Sequence, residues 1–286
     1  MILVTGAAGK TGRAVIQALI ARDQKIRALV HRNEQVAALK QLGVQEVIVG
    51  ELSFEKVITL ATRGARAIYH IAPNIHPEEE LIGQIAIKAG QSVGMEHFVY
   101  HSVLHPQIEA MPHHWQKLRV EERLFESGLP YTILQPAPYM QNVLAYWRAI
   151  LERSVIPAPY AAQTRLSMVD LQDVAKVAAM VLTEPGHAGA TYELCGSEDI
   201  SQDEVAAILG QKLHRSVQVE VISLEVWQEQ ARASGLEDYQ VETLVRMFQY
   251  YERNGFLGNS KVLESLLGHA PTTFPEFVER IIREKV

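Results

Sequence analysis

From residue 1 to about residue 136, short apolar runs rich in β-branched residues alternate with amphipathic stretches of helical period. That is the sequence form of repeated strand–helix–strand units. Strands are expected at Ile2 to Thr5, Ile26 to Val30, Glu46 to Val49, Ala67 to Ile71, Phe98 to Ser102 and Tyr131 to Gln135, and helices at Thr11 to Ala21, Glu34 to Leu42, Glu78 to Ser92 and Trp115 to Ser127. Charged residues fall only at the strand ends, which suits a doubly wound parallel sheet covered by helices on both faces. Beyond Pro136 the pattern loosens into Pro136-Ala-Pro138, an aromatic segment from Tyr139 to Trp147 and the loop Ile156-Pro-Ala-Pro-Tyr160. Helical periodicity returns at Leu171 to Leu182, strands are expected at Thr191 to Leu194 and Val217 to Ile222, and two helical patterns lie between Leu224 and Gly268. Ser201-Gln-Asp-Glu204 and Thr273-Phe-Pro-Glu276 match capping boxes, so a helix should begin at each. The chain divides on this reading into a domain over 1–152, with 165–190 packing back on it, and a smaller α+β substrate or interaction domain over 153–286.

The turn Gly6-Ala7-Ala8-Gly9-Lys10-Thr11-Gly12 follows the first expected strand and opens a helix. In that context glycines let the backbone approach a pyrophosphate, whose charge meets the first helical amides and the positive end of the helix dipole. The first domain is therefore expected to be of the Rossmann type, with Gly6, Ala8, Gly9, Lys10, Thr11 and Gly12 holding a dinucleotide. Gly9-Lys10-Thr11 invites comparison with a P-loop, but the glycine required five positions earlier is Val4. The second strand ends Leu29-Val30-His31-Arg32-Asn33. No carboxylate stands there to bind a ribose 2′-hydroxyl, and Arg32 beside His31 suits a 2′-phosphate, so NADP(H) is expected in preference to NAD(H). Ile71 and Ala72, ending the fourth strand, are further cofactor-binding candidates.

The formal net charge of -6 lacks the basic excess that direct nucleic-acid binding requires. No apolar run approaches the ~20 residues that span a bilayer. The N-terminus already reads as a buried strand rather than a signal peptide, and the lone Cys195 fits a reducing compartment, so a cytoplasmic setting is expected. Cys195 itself reads as a small buried apolar residue.

Three stretches together resemble the NmrA-like branch of the atypical short-chain dehydrogenase/reductase superfamily: Thr5 to Gly12, Lys117 to Asn142 and Ser167 to Ala175. The resemblance implies an NADP(H)-binding Rossmann-type fold. It covers quinone reductases, plant isoflavone and benzylic ether reductases, and non-catalytic sensors of the NADP(H) pool. The Tyr-xxx-Lys pair of typical short-chain dehydrogenases is absent, since no tyrosine has a lysine four residues on and Lys117 is preceded at that spacing by His113.

Lys117, fifteen residues before Thr132, is similar in position to the active-site lysine of the plant reductases and is the first catalytic and ribose-binding candidate. A surface lysine on an amphipathic helix is the alternative. Ser102, near the end of the fifth strand, is placed to hydrogen-bond a substrate oxygen or, equally, to cap a nearby amide. His101 joins it as a candidate substrate contact. His113 and His114 read as solvated residues at a helix start rather than as proton donors. His97, His101 and His105 recur at a spacing that converges on a metal only in a helix, and they lie on a strand, so no metal is expected. Tyr139, Asn142 and Trp147 are candidate substrate-binding residues for a flat acceptor, with a packed connecting helix as the alternative. The leading expectation is an NADPH-dependent reductase acting on a small quinone-like or unsaturated substrate held between the two domains. The alternative is a non-catalytic NADP(H) sensor acting through a regulatory protein partner.

Overall fold

A computed structural model describes residues 1–285. The chain begins β1 (Ile2–Val4), α1 (Lys10–Ile20), β2 (Ile26–Val30), α2 (Glu34–Gln41), β3 (Glu46–Val49), α3 (Glu55–Thr62), β4 (Ala67–His70), α4 (Glu79–Ser92), β5 (His97–His101), α5 (Pro112–Phe125) and β6 (Tyr131–Pro136). A 3-10 helix (Met140–Tyr146) leads into α6 (Trp147–Arg153), β7 (Val155–Ala158), β8 (Leu166–Ser167), α7 (Leu171–Thr183), β9 (Ala190–Leu194) and β10 (Asp199–Ile200). The chain continues through α8 (Gln202–Leu213), β11 (Gln218–Val221), α9 (Leu224–Ala233), α10 (Asp238–Asn254), α11 (Lys261–Leu267) and α12 (Phe274–Lys285). Two compact units result: Met1–Ile108, His113–Gln135 and Val174–Tyr192 form one, and Glu109–Pro112, Pro136–Asp173 and Glu193–Val286 the other. No helix among the described residues is long and apolar enough to cross a membrane.

The central sheet runs β3-β2-β1-β4-β5-β6-β9. The pairs β1–β2, β1–β4, β2–β3, β4–β5 and β5–β6 are parallel, in registers such as Val4 opposite Ala28 and Val4 opposite Tyr69. The chain winds outward from β1 to β3, then returns to the other side of β1 with β4. Loops leaving β1 and β4 therefore diverge, and the strand C-termini there open the crevice where such sheets bind ligands.

Alternation along the strands sends Leu3, Ile68, Phe98, Tyr100 and Ile133 to one face. They form one buried cluster with Ile58, Ala86, Ile87, Val120 and Leu124 of α3, α4 and α5. At roughly 1.5–3 kcal/mol for each fully buried large apolar side chain, this layer is a principal source of the unit's stability. On the other face α1 buries Val15, Ile16 and Leu19. Arg22, just past α1, donates to Thr183 and Glu184 at the end of α7, which ties those two helices together.

The parallel sheet with flanking helices is as expected, and β3 is its outermost strand, with residues exposed or half-buried. Helix α3 adds to the helices that the periodicity predicts, since Glu55 to Thr62 is short and carries the β-branched Val57, Ile58, Thr59 and Thr62, whose intrinsic helix preference is low. Its burial of Ile58 and Ala61 decides the conformation instead.

Helices α4 and α5 approach closely through a glycine. A Cβ on Gly83 would stand 2.6 Å from both Cγ atoms of Val120, so any side chain there would force the helices apart. Glu79 lies one turn before Gly83, and Lys117 lies about one turn before Val120. The spacing fixed at this contact therefore carries over to the acid and the base.

In the second unit β7 pairs parallel with β11 and β8 antiparallel with β10. The capping box at Ser201 forms as expected, Ser201 Oγ accepting from Glu204 N at 3.3 Å while Glu204 accepts from Ser201 N at 2.8 Å. Thr273 and Glu276 make the same reciprocal pair at the start of α12. Residues 224–268 form three helices rather than two, the last break lying in Gly255–Ser260. Trp227, Phe248, Tyr160, Tyr251 and Phe256 pack edge-on or tilted at centroid distances of 4.8–6.3 Å. This is a packed aromatic core, and it absorbs most of the aromatic residues of that region.

Candidate active site

The glycine turn lies where β1 ends, beside the diverging β4 loop. Thr5 clamps the two strand ends together: its hydroxyl donates to Ile71 O at 3.0 Å, accepts from Ile71 N at 2.8 Å and lies 3.2 Å from His70 Nδ1. Gly6 follows at φ +57°, and a Cβ there would meet Ile71 Cβ at 3.0 Å. A Cβ on Gly12 would fall 2.4 Å from the Gly6 carbonyl oxygen and 2.7 Å from Ala7 Cα, so only glycine permits the turn to fold back on the helix. Helix α1 starts after Gly9 with no side-chain cap and no acidic residue in its first turn. The amides of Thr11 and Gly12 and the positive dipole end of the helix are placed for an anion, which is what a dinucleotide pyrophosphate requires. The donor set fits the expected cofactor.

Lys10 is exposed at the first position of α1, whereas Thr11 and Gly12 are buried. Ala72 is buried and Ile71 half-buried at the same rim. His31 and Arg32 are exposed beyond β2, and the Arg32 backbone N–H donates to Gln35 Oε1, leaving its guanidinium on the surface. The first carboxylate past β2 belongs to Glu34, which opens α2.

Above the apolar layer under β4, β5 and β6 sits a buried polar one. Lys117 Nζ donates to Glu79 Oε1 at 2.5 Å, and the Tyr100 hydroxyl donates to the same oxygen at 3.1 Å. The Lys117 ammonium also lies 5.7 Å from the centre of the Tyr100 ring, within cation–π range. Glu79 is 1 % exposed and Lys117 17 %, so the lysine is the end of the pair that reaches water. Burial, followed by the Glu79 charge, pushes the Tyr100 hydroxyl well above its ordinary value and keeps it a neutral donor.

One turn further along α5, buried Glu121 accepts from the Ser102 hydroxyl and from Gln135 Nε2, the latter at 2.9 and 3.0 Å to its two oxygens. Burial pushes the Glu121 carboxyl up, against the opposing pull of those two hydrogen bonds and of the Lys117 charge. Ser102 is itself buried, with its N–H held by Leu134 O at 2.8 Å and its hydroxyl turned to Glu121.

The histidines nearby are held neutral. His70 Nε2 is buried without a partner, and burial, reinforced by Lys117, brings the imidazole down to about 3. His101 lies on the opposite face of β5, 2.6 Å from the Tyr69 hydroxyl, and is brought to about 3 by the same two causes. His114 is buried rather than solvated, correcting the expectation: its Nδ1 lies 3.1 Å from His105 O, and burial takes it to about 4 despite that bond. His113 is half-buried, 4.5 Å edge-on from His114. His97 sits at the other end of β5, 2.8 Å from Thr132 Oγ1. Among the described residues no three His, Cys, Asp or Glu side chains gather as a metal site. Cys195 is buried, and burial, then the Glu193 and Asp199 charges, pushes its thiol up to about 12.

Tyr139, Asn142 and Trp147 belong to the second unit, where Asn142 is exposed and the other two half-buried. The Trp147 indole N–H has no partner. Sequence reasoning missed Thr5, His70, Glu79, Tyr100 and Gln135. The one local signal was Glu121, four residues past Lys117, just after Val120 and three residues before Leu124, a carboxylate on a buried stripe of α5.

A model of the NmrA-like family matches residues 1–278. The NAD(P)H azoreductase of Xenophilus azovorans is 27% identical over 282 residues, 98% of this chain and 97% of that protein. The crystal structure of an NADPH-dependent quinone oxidoreductase of Escherichia coli complexed with NADPH superposes with a TM-score of 0.85 at 27% identity, covering 99% of this chain and 100% of the other. The triphenylmethane reductase of Citrobacter sp. complexed with NADP(H) gives a TM-score of 0.85 at 26% identity, covering 98% and 99%.

Proposed function

Because the chain belongs to the NmrA-like family, we propose that it is an NADPH-dependent reductase that passes hydride to a small, flat, conjugated acceptor of the quinone kind. The observation that carries this reading is the uncapped start of α1 behind the Gly6–Gly12 turn, at the point where β1 and β4 diverge. Relatives named for azo, quinone and triphenylmethane substrates support the acceptor class, since all three are extended conjugated systems. Bound at the turn, the nicotinamide nucleotide supplies the hydride.

The residues of the chain would do the rest. The backbone amides of Thr11 and Gly12 at the start of α1 bind the pyrophosphate, with Lys10 beside them, and Arg32 with His31 donates charge-assisted hydrogen bonds to the 2′-phosphate, which favours NADP(H) over NAD(H). Ile71 and Ala72 line the rim. Lys117 has three donors and spends one on Glu79, leaving two for a ribose hydroxyl or for the oxyanion that develops on the acceptor. Ser102 is oriented by Glu121 and forms the second polar group of that rim. His101, at the end of β5, is the candidate substrate contact of this unit.

The test is steady-state oxidation of NADPH against a panel of quinones, azo compounds and conjugated carbonyls. Turnover confined to conjugated acceptors supports the reading. Tight NADPH binding with no turnover on any of them would replace it with a redox sensor acting on a protein partner, the role that the missing Tyr-xxx-Lys pair favours.

A further inference from the structure

We propose that Glu79 is the positioning residue of the reductase, holding the Lys117 ammonium at the sheet rim with Tyr100 as its second support. The proposal rests on the reductase reading for what Lys117 does, and on three independent features for how Lys117 is held.

The first feature is convergence. Lys117 and Tyr100 both donate to one oxygen, Glu79 Oε1, and the ammonium lies against the Tyr100 ring. A long lysine side chain with several rotatable bonds thus meets a carboxylate in front and an aromatic face beside it.

The second feature is energetic. Glu79 is almost wholly buried, and a buried ion pair is a poor stability device, because desolvating two charges costs about as much as their attraction returns. A well-packed apolar pair would hold α4 to α5 at least as firmly, and the Gly83–Val120 contact already sets their spacing. A charged pair kept at a ligand-binding rim in spite of this cost is expected where the charge acts on something else.

The third feature is direction. Glu79 begins α4, and the loop that delivers it from β4 holds buried, β-branched Ile75 at φ +48°, a conformation such residues rarely adopt. In the first turn of α4, Glu79 meets the hydroxyl of Tyr100, which stands near the C-terminal end of β5. Lys117 is the only member of the trio with appreciable access to water.

A positioning residue acts only through the group it positions, which makes the proposal testable by a double-mutant cycle. Glu79→Gln keeps the size of the side chain and an oxygen for Tyr100 but removes the charge, and Lys117→Met removes the ammonium. Each single variant should lower kcat by about tenfold to a hundredfold. The double variant should be no slower than Lys117→Met alone. A purely structural Glu79 would instead give multiplicative losses in kcat. In the cofactor-free protein, the Lys117 ammonium should give its own proton–nitrogen correlation in nuclear magnetic resonance spectra, sheltered from exchange by Glu79, and Glu79→Gln should abolish it.

Wild-type turnover retained by Glu79→Gln would overturn the assignment while leaving the reductase standing, as would multiplicative losses in the double variant. Absence of turnover in the wild type would sink the reductase reading, and the positioning role with it, even if the ammonium signal behaved as expected.

Discussion

His70 offers a quantitative check on the buried polar layer. Its imidazole is fully buried against Phe98 and Tyr100, with Nδ1 near Thr5 Oγ1 and Nε2 unpartnered, and its pKa falls from 6.5 to about 3 on folding. A group whose folded pKa lies below its unfolded one contributes stability that is intact above the unfolded value and is lost as pH falls towards the folded one. The window is therefore pH 6.5 down to about 3. At about 1.4 kcal/mol per pH unit, a shift from pH 7 to pH 5 should remove about 2 kcal/mol through His70 alone. His101 and His114, brought to about 3 and about 4, act in the same direction.

Replacing His70→Asn removes one such group while keeping a polar side chain next to Thr5. The variant is expected to be less stable than the wild type at pH 7, where it loses ring packing, but the gap should close by about 2 kcal/mol at pH 5. Amide hydrogen exchange of β4 and β5, wild type and variant at the same pH so that intrinsic rates cancel, reads the difference directly. A gap that stays constant to within about 0.5 kcal/mol between the two pH values would mean that His70 is charged in the folded protein, and would refute the reasoning.

Gly12→Ala puts a Cβ 2.4 Å from the Gly6 carbonyl oxygen; the turn must open, so thermal unfolding should show a loss of about 1–3 kcal/mol and NADPH titration a weakening of at least about tenfold. Arg32→Glu should weaken NADPH by about 1.5–3 kcal/mol while changing NADH far less, and equal effects on the two nucleotides would remove Arg32 from the 2′-phosphate. Glu121 has the opposite pH signature to His70. Its folded pKa is raised above the ordinary 4.5, so the wild type loses stability as pH climbs from 4.5 through the folded value, and Glu121→Gln should gain on it over that window in paired denaturation curves.

How much of this was legible in the sequence follows from how local each feature is. The strand before Gly6, the glycine spacing and the helix after it lie within twenty residues, and their meaning depends on no distant partner. The same holds for the capping boxes at Ser201 and Thr273. Glu79 reads only as an acid at a helix start, and becomes the partner of Lys117 because Gly83 admits Val120, a contact between residues 37 positions apart. Tyr100 and Gln135 read as strand residues, and their roles emerge only when β4, β5 and β6 align. His114 was misread for a related reason: its neighbours Trp115 and Gln116 are polar or partly exposed, and its burial comes from the preceding loop through His105. In the second unit, Gly255 to Ser260 divides what reads as one periodic stretch, so three helices stand where two patterns were evident.

The central claim is that the Gly6–Gly12 turn holds NADPH as a working hydride donor. Its most direct test is a single-turnover experiment: stoichiometric NADPH bound to the purified protein, its fluorescence followed as a quinone is mixed in, with Gly12→Ala in parallel. The account predicts saturable NADPH binding and rapid loss of the signal in the wild type, with one acceptor reduced per nucleotide, and both weakened in the variant. Wild-type binding with an unchanging signal across the acceptor panel would contradict it.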